Sequence, residues 1–338
     1  MVTAPLLVVA ALGGNALLRA GDRSDAATLR ARAAAAAAAL GPIAREHRLV
    51  ITHGNGPQVG RLAAQAARDD APLPLDVLDA ETEGLIGYLL LEALAATLPA
   101  REFVAMLTRV EVAADDPAFR AAPTKPIGPA VTEAVARDWA ARHGWQVGPT
   151  ARGWQRLVPS PAPLRIVEAP TVARLLADDV VVIATGGGGI PMAATPMTAT
   201  PMTAAPMTAT MGGTTTLGSA AASSPGALRG VEAVVDKDHS SALLAATLGA
   251  DVLLLLTDVD AVWRDFGTDH ATRIGATDAT ELAGLKLEAG TMAPKVAAAT
   301  KFVGSGTGRA AIGALDDAAS VLAGTVGTQV RAMPREPR

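Results

Sequence analysis

A parallel α/β fold is predicted by three features of the chain. Leu6–Leu12, Leu49–Thr52, Val180–Ala184 and Val252–Leu256 are short, nearly continuous apolar runs of the kind that fill strands buried on both faces. Three of these runs end in glycine-rich turns, at Gly13-Gly14, Gly54-Asn55-Gly56 and Gly186–Gly189. Helical patterns lie between the runs, and such alternation builds a sheet of parallel strands with ligands at their carboxyl edge.

Taken in order, the first run leads through Gly13, Gly14 and Asn15 to an alanine-rich segment, Ala26–Leu40, helical by propensity. The second strand leads to His53-Gly54-Asn55-Gly56-Pro57, which repeats the logic of the first turn. Glycines here let backbone N–H groups approach a phosphate, and a following helix adds its positive end. Neither turn matches a Walker A loop or a dinucleotide fingerprint. His53 reads as a turn or buried hydrogen-bonding residue, because no Ser or Asp partner stands near it in sequence. Glu83–Leu98 is a strong helical pattern and Phe103–Thr108 a further strand.

From about 113 to 163 prolines, glycines and Trp139, Trp145 and Trp154 mark an excursion from the sheet, with a helix at Thr132–Arg142 and a short hairpin. Lys125 stands there between Pro123 and Pro126 on a stiffened loop; an exposed lysine is its plain reading, and a surface salt bridge that of Arg156. After Gly186, Gly187, Gly188 and Gly189, tandem PMTAT-like repeats and the GGTTTLGSAAASSPGA stretch that follows them, about 192 to 227 in all, are too poor in large apolar side chains to form a core, and read as a mobile insertion. Val231–Val235 reads as a strand meeting Asp236, Lys237 and Asp238, and a small-residue helix then leads to Val252–Leu256. Asp238 fits an N-cap and Lys237 a solvated turn residue as well as they fit an anion site. Pro294 suits the first turn of a helix, which puts Lys295 at a positive helix end, a poor place for a cation without an anion. Glu281–Leu287 reads as helix, Ala310–Gly313 and Gly324–Val330 as closing strands, and 331–338 as a tail.

Composition narrows the functional classes. The net charge of −4 argues against nucleic acid as the main partner. No cysteine is present, so thiol nucleophiles and cysteine-based zinc sites are excluded. The apolar opening lacks a basic leader and is broken by glycine well short of a membrane span, which predicts a buried strand, no membrane partner and a cytoplasmic location. Length leaves one large or two modest domains open.

Ten segments, VVAALGGNALL, THGNGPQVG, EGLIGYLL, PTKPIGP, GWQRLVPSP, ATGGGGIP, VEAVVDKDHSSALLA, LLLLTDVDAV, MAPKV and TVGTQV, resemble in order the carbamate kinases of the amino acid kinase superfamily. The resemblance spans almost the whole chain outside 192–227. It implies a three-layer α/β/α sandwich with a mainly parallel central sheet, formed by one domain over 1–330 with a small protruding subdomain at about 113–163, and a homodimer. It also implies phosphoryl transfer between ATP and carbamate, with ATP or ADP as substrate and Mg2+ as cofactor. Carried over by motif, Gly13, Gly14 and Asn15 would line the transferring phosphoryl, Gly54 and Asn55 the carbamate side, and Gly186–Gly189 the centre between them. Lys237 and Lys295 would meet nucleotide phosphates, Asp238 would orient them, and Lys125 would serve from the protruding loop. Asp236, Thr257, Asp258, Val259 and Met292 would border the nucleotide. Several sister kinases of the superfamily carry a lysine just before the first glycine pair, where this chain has Val9–Leu12. Gln155, His239, Thr291 and Ala293 depart from the common family pattern without removing a lysine or the aspartate. A sister kinase acting on another small carboxylate, and a nucleotide-binding scaffold inactivated by the insertion, are the competing readings.

Overall fold

Eight strands form the central sheet of the computed structural model, which describes residues 4–17, 22, 25–69, 71–194, 227–285, 292–306 and 308–332. From one edge to the other the strands are Ala276–Asp278, Thr328–Arg331, Arg309–Ala314, Val252–Thr257, Leu7–Leu12, Arg48–His53, Val181–Ile183 and Phe103–Ala105. The six from Arg309–Ala314 to Phe103–Ala105 run parallel. Thr328–Arg331 pairs antiparallel with Arg309–Ala314 and parallel with Ala276–Asp278, so the sheet reverses at that edge.

Alternate side chains of each strand feed two separate cores. Val9, Ala11, Leu253 and Leu255 face the helices Ala169–Ala177, Lys237–Leu248 and Met292–Gly304. Val8, Ala10, Leu12, Leu254 and Leu256 face Ala26–Glu46, Leu75–Thr97 and Ala318–Ala323. The result is the α/β/α sandwich, and burial on both faces accounts for the unbroken apolar runs.

Three smaller sheets accompany this core among the described residues, one of them the antiparallel pair Val262–Arg264 and Thr272–Ile274. Lys125–Val131, Gly153–Val158 and Val147–Thr150 form an antiparallel sheet with the helix Glu133–His143, capped by Thr132 and ended by Gly144. Ile127 and Val158 of that sheet pack on Val59, Leu75 and Leu78. Arg109–Val112 and Pro163–Ile166, by contrast, belong to a four-stranded sheet with Ile190–Ala194 and Leu228–Gly230.

Several boundaries differ from expectation. Val231–Val235 is not a strand: Val234 turns to the small core beside Leu75 and Val235 to the core under the sheet. Its apolar character reflects burial without pairing, since Val231 N–H donates to Pro191 O and Val234 N–H to Pro159 O. Met192–Ala194, expected in the insertion, form a strand, with Ala194 opposite Leu228; residues 195–226 lie outside the described residues. The alanine-rich helix runs past Leu40 through Pro42 to Glu46, because burial of Ile43 and Ala44 outweighs a proline cost of about 3 kcal/mol. The helix expected from Glu83 starts at Leu75, and its early turns bury Asp79, Thr82 and Glu83, polar residues that mask the apolar stripe. The strand from Phe103 ends at Ala105. Gly324–Gly327 forms a turn before the last strand, and Arg331, expected in the tail, ends that strand. The helix expected at Glu281–Leu287 covers Ala279–Ala283, its expected end lying outside the described residues.

Candidate active site

The glycine turns expected from the sequence meet at the carboxyl edge of the parallel strands. Gly13 N–H donates to Leu256 O at 2.9 Å and Gly54 N–H to Leu12 O at 3.0 Å, which extends the ladders into the turns. A Cβ on Gly54 would lie 2.9 Å from Gly14 N, so the two turns lie back to back and leave no room for a side chain. Gly14 and Asn15 open the short helix Gly14–Leu17.

Thr185–Gly189 crosses this edge in a conformation suited to glycine. Gly187, Gly188 and Gly189 have φ of 68°, 104° and 87°, and a Cβ on Gly187 would fall 2.2 Å from Asn55 Nδ2. A Cβ on Gly188 would meet Val235 O at 2.3 Å, while Gly188 O accepts from Ser240 Oγ at 2.7 Å. The run is thus wedged between the Asn55 turn and the start of the helix Lys237–Leu248.

That helix begins at Asp236, whose carboxylate accepts the N–H of Asp238 at 3.0 Å and of His239 at 3.4 Å. Asp236 is therefore the N-cap, and Asp238 lies inside the first turn with a different task. Lys237 Nζ approaches Asp238 Oδ1 at 2.5 Å, and Lys295 Nζ donates to Asp238 Oδ2 at 3.0 Å. The Lys237 contact is an ion pair outside hydrogen-bonding direction, so its ammonium has no directed hydrogen bond among the described residues. Side-chain exposures of 10%, 6% and 6% for Lys237, Asp238 and Lys295 place two cations and one anion in a nearly dry setting. Lys237, expected as a possible solvated turn residue, is enclosed instead.

Burial alone would raise the Asp238 carboxyl, but Lys237 and Lys295 outweigh it and bring it down to about 2. Burial lowers the Lys237 ammonium, against the pull of Asp238. His53 is fully enclosed, and burial, with Lys237 adding to it, pushes its imidazole down to about 4. An uncharged His53 against Gly186 fits the buried role expected of it.

Lys125 projects from its sheet to Asp236 Oδ2, at 3.0 Å, and is partly exposed. Burial would raise the Asp236 carboxyl, but the charge and hydrogen bond of Lys125, with His239 adding to them, together bring it below its ordinary value. Arg156, expected in a surface salt bridge, is buried: it pairs with Glu232 at 2.5 Å and its guanidinium lies 3.9 Å from the centroid of the Trp145 ring. Thr257 ends the central strand beside Gly13 and donates to Asp258 Oδ1 at 3.0 Å. Val259 follows in the adjoining bend, and Met292 opens the helix that carries Lys295.

The sequence reading missed several contributors. Thr52 and Ser241 share a 2.6 Å hydrogen bond, and Ser241 Oγ donates to Lys237 O at 2.7 Å, tying the second strand to the lysine turn. Asp79 and Thr82 accept from Asn55 Nδ2, each at 2.9 Å. Glu83 accepts the N–H of Gly186 at 2.8 Å and of Thr108 at 3.0 Å. Polar residues at spacings of three and four on an otherwise apolar helix face were the available signal.

Chemically, two lysines occupy the first turns of helices whose N-terminal ends already carry partial positive charge. One aspartate does not neutralise this ensemble, and the bordering glycines expose backbone close to it. Such an arrangement accepts a polyanion.

Known proteins match this architecture. The model of the amino acid kinase family matches residues 7–313. Carbamate kinase from Rhizobium meliloti (strain 1021) is 43% identical over 95% of this chain and 92% of its own length. Carbamate kinase from Haemophilus influenzae is 39% identical over 96% of each chain. Among solved structures, carbamate kinase from Giardia lamblia bound to AMP-PNP superposes with a TM-score of 0.81 at 32% identity, covering 98% of this chain and 99% of that one.

Proposed function

The chain belongs to the amino acid kinase family, and from that premise we propose that it transfers a phosphoryl group reversibly between ATP and carbamate. The observation that carries the proposal is the pair Lys237 and Lys295 converging on Asp238 beside Gly186–Gly189, an excess of buried positive charge that needs an anion.

In the direction of carbamoyl phosphate synthesis, a carbamate oxygen attacks the γ-phosphorus of ATP as the bond to the bridging oxygen breaks, and ADP leaves. Carbamate is already an anionic nucleophile, so no general base is required. Lys237 and Lys295 stabilise charge on the transferring group and the bridging oxygen, and Asp238 orients both ammonium groups. Gly13, Gly14 and Asn15 border the phosphoryl, and Gly54 and Asn55 the carbamate. Gly186–Gly189 offers backbone between the substrates. Thr257, Asp258, Val259, Asp236 and Met292 border the nucleotide. Lys125, on a lobe of about 113–163 within one domain, covers the small substrate.

Mg2+ would accompany the nucleotide and supply further positive charge against its phosphates. Both oxygens of Asp236 and both of Asp238 are already engaged by N–H groups or lysines. That donor set fits an ion held by phosphate oxygens and water, rather than one caged by side chains.

Two copies of this chain assemble in our reading, and the enzyme works in the cytoplasm, where the reverse reaction would yield ATP. Purified protein given ADP and carbamoyl phosphate should form ATP in a luciferase-coupled assay. ATP consumption with acetylglutamate or aspartate, and none of the first activity, would move the assignment to a sister kinase.

A further inference from the structure

The segment EGLIGYLL, given no role by phosphoryl transfer itself, begins with a carboxylate sealed behind the glycine run. Glu83 is 3% exposed, and its two oxygens accept the N–H groups of Gly186 and Thr108. Those donors sit where the chain leaves the sheet: Ala184 N–H still bonds to Ile51 O, Thr185 N–H turns to Thr108 Oγ1 at 3.0 Å, and Gly186 N–H turns to Glu83. Thr185 has a left-handed φ of 50°, so the backbone at this point is held away from its ordinary range.

Four residues before Glu83, on the same helix face, Asp79 is 2% exposed and takes one amide hydrogen of Asn55; Thr82 takes the other. The Asn55 amide is thereby fixed, and it is the group against which Gly187 packs. One helix therefore grips both the Gly54-Asn55 turn and the glycine run facing it.

We propose that Asp79 and Glu83 are positioning residues that set the separation of the two walls of the small-substrate cleft. Burying two carboxyls a turn apart is costly, and apolar residues of similar size would stabilise the helix more cheaply. The two carboxyls are suited instead to accept from backbone and amide donors that no strand partner satisfies. On the opposite side Ser240 holds Gly188 O, so the run is fixed from both flanks.

The inference rests on the phosphoryl-transfer reading for its kinetic test, and hydrogen exchange tests it separately. Glu83→Gln exchanges one oxygen, which can accept whether the carboxyl is ionised or protonated, for an NH2 group that only donates, so one of the two backbone N–H groups loses its acceptor. The kcat for ATP formation should fall roughly tenfold to a hundredfold, as small misplacements of reacting groups do. ADP affinity by calorimetry should stay within about threefold, because binding and turnover losses are separable. The unfolding midpoint should fall only modestly, as for one lost hydrogen bond, and amide exchange at Gly186 and Thr108 should accelerate. A kcat near that of the parent, or parallel losses in kcat, ADP affinity and unfolding midpoint, would overturn the assignment. Asp79→Ala should raise the KM for carbamoyl phosphate with ADP affinity preserved; an unchanged KM removes Asp79 from the pair. If neither variant folds, exchange in the parent decides: the Gly186 amide should be strongly protected, and rapid exchange there overturns the proposal. A parent without ATP-forming activity would count against the function while leaving that exchange result to be read on its own.

Discussion

Lys295 Nζ and Asp238 Oδ2 lie 3.0 Å apart although 57 residues separate them in sequence, and the bond joins the first turns of two helices. Lys237 takes the other carboxylate oxygen, so one aspartate organises both cations.

Lys295→Ala and Lys237→Ala should each cost roughly a hundredfold or more in turnover, the loss expected for a preorganised electrostatic donor. Asp238→Ala should be worse for the fold than either, because two buried ammonium groups lose their partner at once; breaking a buried pair costs about 3–5 kcal/mol. Steady-state kinetics and urea unfolding check both. Near-normal rates in the two lysine variants would remove them from the mechanism.

Acid should weaken the protein through Asp238. Its folded carboxyl is held at about 2 against an unfolded value near 3.8, so its contribution is complete above about pH 4 and disappears as pH falls through 2. Asp79 and Glu83 act in the opposite sense. Burial raises them to about 7 and about 8, so the folded state binds more protons, and stability declines as pH rises from near 4.5 to 8. Thermal melts between pH 5 and 8 should show a shallower decline in Glu83→Gln than in the parent; identical slopes would contradict this.

Gly188→Ala and Gly144→Ala form a matched test of crowding. Both glycines have positive φ, 104° and 69°, but a Cβ at 188 meets Val235 O at 2.3 Å whereas one at 144 meets nothing within 4 Å. Gly144→Ala should cost about 1 kcal/mol from backbone conformation alone. Gly188→Ala should cost more and abolish turnover, as read by chemical unfolding and the coupled assay.

Lys125→Ala should raise the KM for carbamoyl phosphate more than it weakens ADP binding. Its side chain is 37% exposed, so the lost pair with Asp236 should change stability by no more than about 1 kcal/mol. Equal damage to ADP affinity, measured without the second substrate, would place Lys125 on the nucleotide.

Replacing 195–226 by a short glycine linker should preserve cooperative unfolding, since Ala194 and Leu228 already sit opposite one another in an antiparallel pair. Loop length changes closure entropy slowly, so stability should shift by about 1 kcal/mol. Activity should stay level or rise. Loss of activity with an intact melt would mean that the repeats contribute to catalysis.

The central strands were legible because burial on both faces leaves little but aliphatic residues, as in Leu7–Leu12 and Val252–Thr257. Val231–Val235 misled for the same reason: composition reports burial, while a strand also needs a neighbouring backbone. The start of the helix at Leu75 was hidden because Asp79, Thr82 and Glu83 are buried polar groups, and an apolar periodicity cannot register them. Lys237 and Asp238 were visible as neighbours, but their meeting with Lys295 depends on how the helices Lys237–Leu248 and Met292–Gly304 pack, and the family resemblance had to supply it.

The pairing of Ala194 with Leu228 also makes the chain between them a natural port. Both ends are anchored in one ladder, with Pro191 two residues beyond the glycine run, so cargo entering there need not alter the path of Gly186–Gly189. An affinity tag, a fluorescent reporter or a spectroscopic label could be grafted at this position without reworking either terminus.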